Sequence, residues 1–289
     1  MLKHNKSMNL FYVPALILFA IFVIGPFIKG IYLSLTNWNG YSQTYKMVGI
    51  SNYTKMFSDP NVLTAFRNTL IYGFGSTLIQ NVLGILLAVF LNQKFRGRSI
   101  VRTMIYLPVM IAPLIMGYIM YFFFAYDRGA LNDIRILLGT ESVDWLSDGN
   151  RAVIILTLIN SLQFVGISMI IYLAGLQNIP RLYYDAAAVD GASGVRRFFS
   201  ISLPLLTPSI TSSVTINLIG GLKLFDVISA LTGGGPGYDT HSLSTLIHKL
   251  YFGSEHAGYA SAVGIVFFVF IMIVSNIVVR FLQKRQVEE

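Results

Sequence analysis

The sequence predicts an all-α membrane protein with six transmembrane helices. Of its 289 residues, 54% are hydrophobic and only 12% are charged, with a mean hydropathy of +0.64. A soluble domain carries roughly twice that share of charged residues. A helix needs about 20 apolar residues to cross a bilayer. Six such runs occur, at roughly residues 10–33, 67–92, 101–126, 151–176, 205–230 and 259–283.

The first run follows Lys3 and Lys6 and resembles a secretion signal, but it is long and no small-residue cleavage site follows it. We therefore expect a retained span. The second to sixth runs are separated by short loops, which leaves no room for a soluble domain. We expect three segments: an N-terminal helix with its outside loop (residues 1–66), a core of five helices (67–284) that includes a cytoplasmic loop at about 178–204, and a tail (285–289).

The basic residues are distributed unevenly between the two sides of the membrane. Segments on the side of the N-terminus hold twelve of the 21 Lys and Arg residues, and those on the opposite side hold seven. The positive-inside rule then predicts that both termini of this multi-pass protein lie in the cytoplasm. The net charge of +8 is explained by this orientation in membrane lipid, so we expect no nucleic-acid partner.

Small and polar residues recur at helical spacing in two of the runs. The stripes are Thr69, Gly73, Ser76, Gln80 and Gly84 in the second run, and Ser209, Ser213, Asn217 and Gly220 in the fifth. Small residues let helices pack closely in lipid. For the amides of Gln80, Asn81 and Asn217, helix packing and a polar solute path are equally good interpretations.

Further polar residues fall within or at the ends of the apolar runs. Asn160 and Gln163 share a helix face and should point into the bundle. Lys223 and Asp226 are three residues apart, so they could pair on one face of the fifth span. Pro108 and Pro113 predict kinks in the third span. The predicted solute path comprises Asn81, Asn160, Gln163, Asn217, Gly221, Phe225 and Asp226.

The sequence contains no recognisable catalytic, metal or nucleotide site. The glycine-rich stretch LTGGGPGYDT lacks the lysine and hydroxyl residue of a phosphate-binding loop and predicts an exposed turn. His241, His248 and His256 lie in the same loop without metal-ligand spacing, and a solvated loop is expected there. We expect no catalytic residue, no metal ligand and no cofactor bound by this chain.

The stretch DAAAVDGASGVRRFFSISLPL, residues 185–205, predicts a helix, a turn and a second helix. Pro180 suits a first helical turn and the three alanines favour helix. Gly191 fits a left-handed helix stop, and Ser193 can cap the next helix. These residues alone leave two interpretations open: an amphipathic connector on the lipid headgroups, or a docking face for another protein.

The spacing of this stretch resembles the "EAA" signature of permease subunits in binding-protein-dependent ABC importers. Asp185-Ala186-Ala187, Gly191 and the segment ISLP at 201–204 match it, with Asp185 where the family usually has Glu. The resemblance implies a type I ABC importer permease fold in a bacterial-type cytoplasmic (inner) membrane. It also implies that the loop docks into a cleft of an ATPase subunit through Asp185, Ala186, Ala187, Asp190, Gly191 and Ala192.

Three further stretches, FRGRSIVRTMIYLPVM, GLQNIPRLYYDAAAVDGAS and LTGGGP, are similar to the carbohydrate-importer branch of that family. The glycine-proline turn is similar to that of the maltose-type larger permease subunit, although this chain lacks its large outside insertion. The resemblance implies a sugar permease that works by alternating access as a heterodimer with a second permease. Two ATPase subunits would hold ATP and Mg²⁺, and an extracytoplasmic solute-binding protein would deliver the sugar.

Two other functions remain open. An ion-gradient-driven secondary transporter would be marked by ionisable residues at mid-span, and the spans carry amides there. A membrane-embedded enzyme would need a convergent acid, base or metal cluster, which is not evident in the sequence.

Overall fold

The computed structural model describes residues 12–284, and it is helical apart from loops and one isolated bridge between Thr36 and Met47. The apolar runs are long and lack the alternation typical of strands. In lipid a helix is favoured because it satisfies all of its backbone hydrogen bonds within one segment. In chain order the helices are α1 Val13–Ser34, α2 Ser51–Met56, α3 Pro60–Asn92, α4 Arg98–Met110, α5 Pro113–Phe124, α6 Ala130–Leu137, α7 Gly149–Asn178, α8 Arg181–Val189, α9 Gly194–Arg197, α10 Thr207–Leu222, α11 Asp226–Leu231, α12 Leu243–His248 and α13 Ala257–Gln283. Helix α9 continues into a π-helical turn, Phe198–Ser202, and a short helix, Leu203–Leu205, and α12 continues into a π-helical turn, Lys249–Gly253.

Five apolar stretches are long enough to cross a membrane: α1, α3, α7, α10 with α11, and α13. The bent pair α4 and α5 supplies a sixth if it is counted as one span. The predicted all-α fold with six spans is therefore confirmed.

The third span bends as Pro108 and Pro113 predict, but the bend is a complete break in the helix. The axes of α4 and α5 differ by 99° across a break at residues 111–112. Pro113 opens α5, where its missing N–H costs nothing, and Ala112 before it is extended. The carbonyl of Ile111, freed by the break, accepts a hydrogen bond from the Gln163 amide at 3.0 Å. The two prolines thus mark a sharp turn and not a mild kink.

The fifth span is also interrupted. Helix α10 ends at Leu222 and α11 begins at Asp226, with Phe225 at a φ of −134° between them. Lys223 and Asp226 are therefore not on one helix, and the predicted pairing on a shared helix face is wrong.

The described residues form two compact units, one of 12–59 with 247–269 and one of 60–246 with 270–284. In the first unit, the Asn52 amide donates to the backbone carbonyls of Ser34 and Thr36, both at 2.8 Å. The Tyr259 hydroxyl donates to the Asp59 carboxylate at 2.8 Å. These bonds fix the loop after α1 against α2 and the start of α13. The division of the chain at residue 66 stays a prediction.

In the second unit, α3 packs along α7 through the predicted stripe of small residues. Thr69, Ser76 and Gln80 are buried, whereas Leu78 and Leu86 on the opposite face are 67% and 60% exposed. Large apolar side chains on the exposed face are what lipid contact requires. The stripe is therefore a helix-packing face over most of its length.

Replacing Gly84 by leucine should disrupt this packing. A Cβ at Gly84 would overlap the Cβ of Ser168 and lie 3.2 Å from the backbone nitrogen of Met169 on α7. Because backbone cannot yield as a flexible side chain does, we expect a loss of about 1–3 kcal/mol or more of unfolding free energy. Thermal unfolding in detergent measures this loss of stability. Gly30→Leu is the control, because a Cβ at Gly30 meets no atom within 4 Å. Equal melting temperatures for both variants would contradict the close contact.

Candidate functional site

A cavity of about 210 Å³ opens in the second unit where the break between α10 and α11 faces α3 and α7. The backbone at this break is irregular instead of helical. In membrane proteins irregular backbone within a span is tolerated where it lines a cavity. The lining residues are Gln80, Pro113, Asn160, Phe164, Ile167, Ile216, Asn217, Gly220, Gly221, Lys223, Leu224, Phe225 and Asp226.

The wall combines amides, two aromatic rings and one charge of each sign. The Asn217 amide donates to the Ser168 hydroxyl at 2.6 Å, which fixes its orientation. The Gln80 amide donates to the backbone carbonyl of Asn160 at 3.1 Å. Lys223 and Asp226 are exposed. A wall of this composition suits a polar, hydrogen-bonding solute with some apolar faces.

Five of the seven residues predicted for the solute path line this cavity: Asn160, Asn217, Gly221, Phe225 and Asp226. Eight lining residues were not in that set, among them Gln80, Lys223 and Phe164. The sequence leaves Gln80 between packing and path, places Lys223 where it could pair with Asp226, and gives no signal for Phe164. Gln80 lies on the stripe of small and polar residues in the second run, and this helical position was the signal available.

The other two predicted residues lie elsewhere. Asn81 donates to the backbone carbonyl of Thr77 at 2.7 Å and accepts a hydrogen bond from the Tyr172 hydroxyl. Gln163 donates a hydrogen bond to the Ile111 carbonyl at the break between α4 and α5. It also lines a separate, mostly apolar cavity of about 680 Å³. The Asn81 oxygen bonds to Tyr172 on α7 and the Gln163 nitrogen bonds to the break between α4 and α5, and these bonds favour the packing interpretation.

Removing the Tyr172 hydroxyl should test the packing role of Asn81. We expect Tyr172→Phe to lower the unfolding free energy by about 1 kcal/mol, the usual scale of a hydrogen bond between membrane helices, and to leave the uptake KM unchanged. The double variant Tyr172→Phe/Asn81→Leu should lose less unfolding free energy than the sum of the two single losses, because both changes remove the same bond, and a double-mutant cycle measures this difference. A raised KM in Tyr172→Phe would place Asn81 in the solute path instead.

The second predicted site, the loop at about 178–204, is built as a helix, a turn and a helix. Helix α8 ends in a Schellman turn: the Ala192 N–H donates to the Ala187 carbonyl at 2.9 Å, and the Gly191 N–H to the Ala188 carbonyl at 3.1 Å. Gly191 has a φ of +70°, which suits glycine. The Ser193 hydroxyl then accepts from the Arg196 N–H at 3.3 Å and caps α9. Pro180 precedes α8 as its cap instead of lying in its first turn.

This loop is anchored to the helix bundle at its inner face. The Tyr184 and Ser202 hydroxyls are 2.9 Å apart and share a hydrogen bond. Tyr184, Ile201 and Leu205 pack against a buried cluster of Ala88, Tyr172, Leu173, Leu176, Ile179 and Leu206. A force on the loop therefore reaches α3, α7 and α10 through packed side chains.

The opposite face of the loop is open and apolar. Leu182, Val189 and Val195 are 76%, 89% and 70% exposed. Asp185, Asp190 and Gly191 are exposed beside them. Exposed aliphatic groups next to charged ones are typical of a surface that meets another protein or the membrane.

Known proteins are similar to this chain over most of its length. Residues 80–288 match the family model described as "Binding-protein-dependent transport system inner membrane component". The chain is 35% identical over 277 residues to "Multiple sugar-binding transport system permease protein MsmF" of Streptococcus mutans, covering 96% of this chain and 95% of that one.

Two solved structures share the fold. One is a bacterial ABC transporter involved in the import of the acidic polysaccharide alginate, with a TM-score of 0.83, 25% identity, and coverage of 97% of this chain and 96% of that one. The other is a bacterial alginate ABC transporter in complex with its alginate pentasaccharide-bound periplasmic protein, with a TM-score of 0.80, 26% identity, and coverage of 96% and 93%. The chain belongs to the family of inner membrane components of binding-protein-dependent transport systems.

Proposed function

We propose that this chain is one permease of an ATP-driven ABC importer that carries a sugar or oligosaccharide into the cytoplasm by alternating access. The observation that carries the proposal is the presence, in one compact unit, of a polar solute cavity at a helix break and an exposed docking loop around Gly191.

The chemistry of the cavity supports a carbohydrate. Amide groups of Gln80, Asn160 and Asn217 lie near it and can exchange hydrogen bonds with hydroxyl groups, while Phe164 and Phe225 offer faces for the C–H side of a sugar ring. The relative named for multiple sugar binding and the alginate importers support the same class.

The partners follow from the family and from the open faces of the chain. We propose a heterodimer with a second permease, two ATPase subunits that bind ATP and Mg²⁺, and an extracytoplasmic solute-binding protein. Both termini lie in the cytoplasm in this arrangement. Residues 67–284 serve as the transport core with the docking loop at about 178–204, and 285–289 as a cytoplasmic tail.

Coupling would proceed through the docking loop. The six residues Asp185, Ala186, Ala187, Asp190, Gly191 and Ala192 contact an ATPase cleft, and ATP binding closes the ATPase pair. Because the loop packs on α3, α7 and α10, its displacement shifts the balance between inward-facing and outward-facing arrangements of the bundle. The chemistry of hydrolysis takes place on the partner subunits.

The experiment is uptake of labelled mono-, di- and oligosaccharides in cells that lack this chain and in cells that regain it. Uptake of at least one sugar should disappear and return with the chain. It should persist when an ionophore collapses the ion gradients while cellular ATP is held constant, and it should fail when ATP is depleted. No change in the uptake of any sugar would contradict the substrate class.

An ion-gradient-driven secondary transporter is the alternative function. Family membership and the likeness to ABC transporters stand against it. In the same experiment it would be indicated by uptake that stops with the ionophore while ATP is unchanged.

A further inference from the structure

The glycine-rich segment after α11, residues 232–242, is fixed to α3 by side-chain hydrogen bonds. We call it the glycine loop. The Asn68 amide donates to the backbone carbonyls of Asp239 at 2.6 Å and His241 at 3.1 Å, and the Tyr72 hydroxyl donates to the Thr240 carbonyl at 2.9 Å. Thr69 also accepts a hydrogen bond from the Leu243 N–H at 2.8 Å. These α3 side chains are all buried, so the loop has little freedom to move.

The inside of the glycine loop is packed. Gly234 has a φ of +91°, and a Cβ there would overlap the His241 imidazole. The Thr240 hydroxyl donates to the Gly235 carbonyl at 2.7 Å. His241 is only 2% exposed, with its Nδ1 2.9 Å from the Thr245 hydroxyl. The predicted solvated environment of His241 is therefore wrong, because its ring fills the inside of the turn.

The loop ends in a hydrogen bond to the cavity wall. The Ser242 hydroxyl donates to the backbone carbonyl of Leu224 at 2.7 Å. That carbonyl lies in the break after α10, where a helix leaves its last carbonyls without intrahelical partners. Ser242 is fully buried and Leu224 is 6% exposed, so water does not substitute for the bond. Lys223, Leu224 and Phe225 all line the cavity.

We infer that Ser242 is a positioning residue that sets the shape of the cavity wall and thereby the size of the solute accepted. It contacts no solute itself. It transmits the fixed position of α3 through the glycine loop to the unwound segment 223–225. The inference rests on the proposed function in one respect, namely that the transported solute is a carbohydrate. The hydrogen-bonded connection from α3 to the cavity wall does not depend on the identity of the solute.

The first test is a ratio of initial uptake rates for a disaccharide and a tetrasaccharide. If Ser242 only stabilised the fold, its replacement would lower the amount of protein in the membrane and reduce both uptake rates equally. The ratio of the two rates would then stay unchanged. We expect Ser242→Ala to alter the ratio at least about threefold, because size discrimination by a pocket depends on small displacements of its wall. Ser242→Thr keeps the hydroxyl donor and should restore the ratio. Ser212→Ala is the matched control, since that exposed hydroxyl bonds only its own helix, at Pro208.

The second test requires no transport. The chain has no cysteine, so Phe225→Cys places a single thiol in the wall. In the purified complex, Ser242→Ala should raise the rate at which a small thiol reagent modifies this cysteine about threefold or more, because the segment opens more often without its hydrogen bond. Tyr72→Phe, one hydrogen bond further back, should act in the same direction and serves if Ser242→Ala does not fold.

The outcomes separate the inference from the proposed function. An unchanged uptake ratio together with an unchanged modification rate would overturn the role of Ser242. If the wild-type chain moves no sugar but the modification rate rises in Ser242→Ala, the carbohydrate proposal fails while the positioning role stands.

Discussion

Uptake should fall about 25-fold or more when Gly191 is replaced by tryptophan, with the protein still folded in the membrane. At this position a Cβ meets no atom of the chain within 4 Å, so the only internal cost is the φ of +70°, about 1–2 kcal/mol. The indole would instead project from the Schellman turn into the surface proposed to meet the ATPase. An obstruction at the centre of an interface costs at least about 2 kcal/mol of binding.

Two controls separate bulk from strain. Gly191→Ala carries the same backbone strain without the bulk and should retain most of the uptake. Membrane content and melting temperature should be similar for both variants. Normal uptake by Gly191→Trp would contradict docking through this turn, and an equal loss in Gly191→Ala would assign the effect to the turn itself.

A phenylalanine at Gly220 should block transport by filling the cavity. Gly220 lines the cavity, and a Cβ there meets no atom within 4 Å, so the helix tolerates the change. The ring takes up space that a solute needs within about 210 Å³. We expect at least about a tenfold loss of uptake, equivalent to about 1.4 kcal/mol, while the ATPase subunits still co-purify.

Gly30→Phe is the matched control, because its Cβ position in α1 is equally open. It should leave uptake near the wild-type rate. Full uptake by Gly220→Phe would remove this cavity from the solute path, and a comparable loss in Gly30→Phe would indicate a general effect of a bulky residue in a span.

Features set by neighbouring residues were predictable from the sequence. The six spans follow from apolar runs, and the turn at Gly191 and the cap at Ser193 follow from residues within five positions of each other. Helix propensity and capping residues determine where these helices and turns begin and end, and no contact with a distant part of the chain is needed.

The helix breaks were not predictable in the same way. Proline marked the first break, but the bond that satisfies its freed carbonyl comes to Ile111 from Gln163, 52 residues away. The break after α10 has no proline, and the bond from Ser242 to Leu224 spans 18 residues. Asn81 likewise finds its partner Tyr172 91 residues along the chain. A buried amide predicts that a partner exists but not which one, so the sequence alone leaves Asn81 and Gln163 between helix packing and the solute path.

The composition of the complex purified through this chain, in mild detergent with a non-hydrolysable ATP analogue, tests the proposed function most directly. Native mass spectrometry should find one copy of this chain, one second permease and two ATPase subunits, and that complex should be lost in Gly191→Trp. A folded chain found alone, or only with copies of itself, would contradict a permease that is driven by separate ATPases.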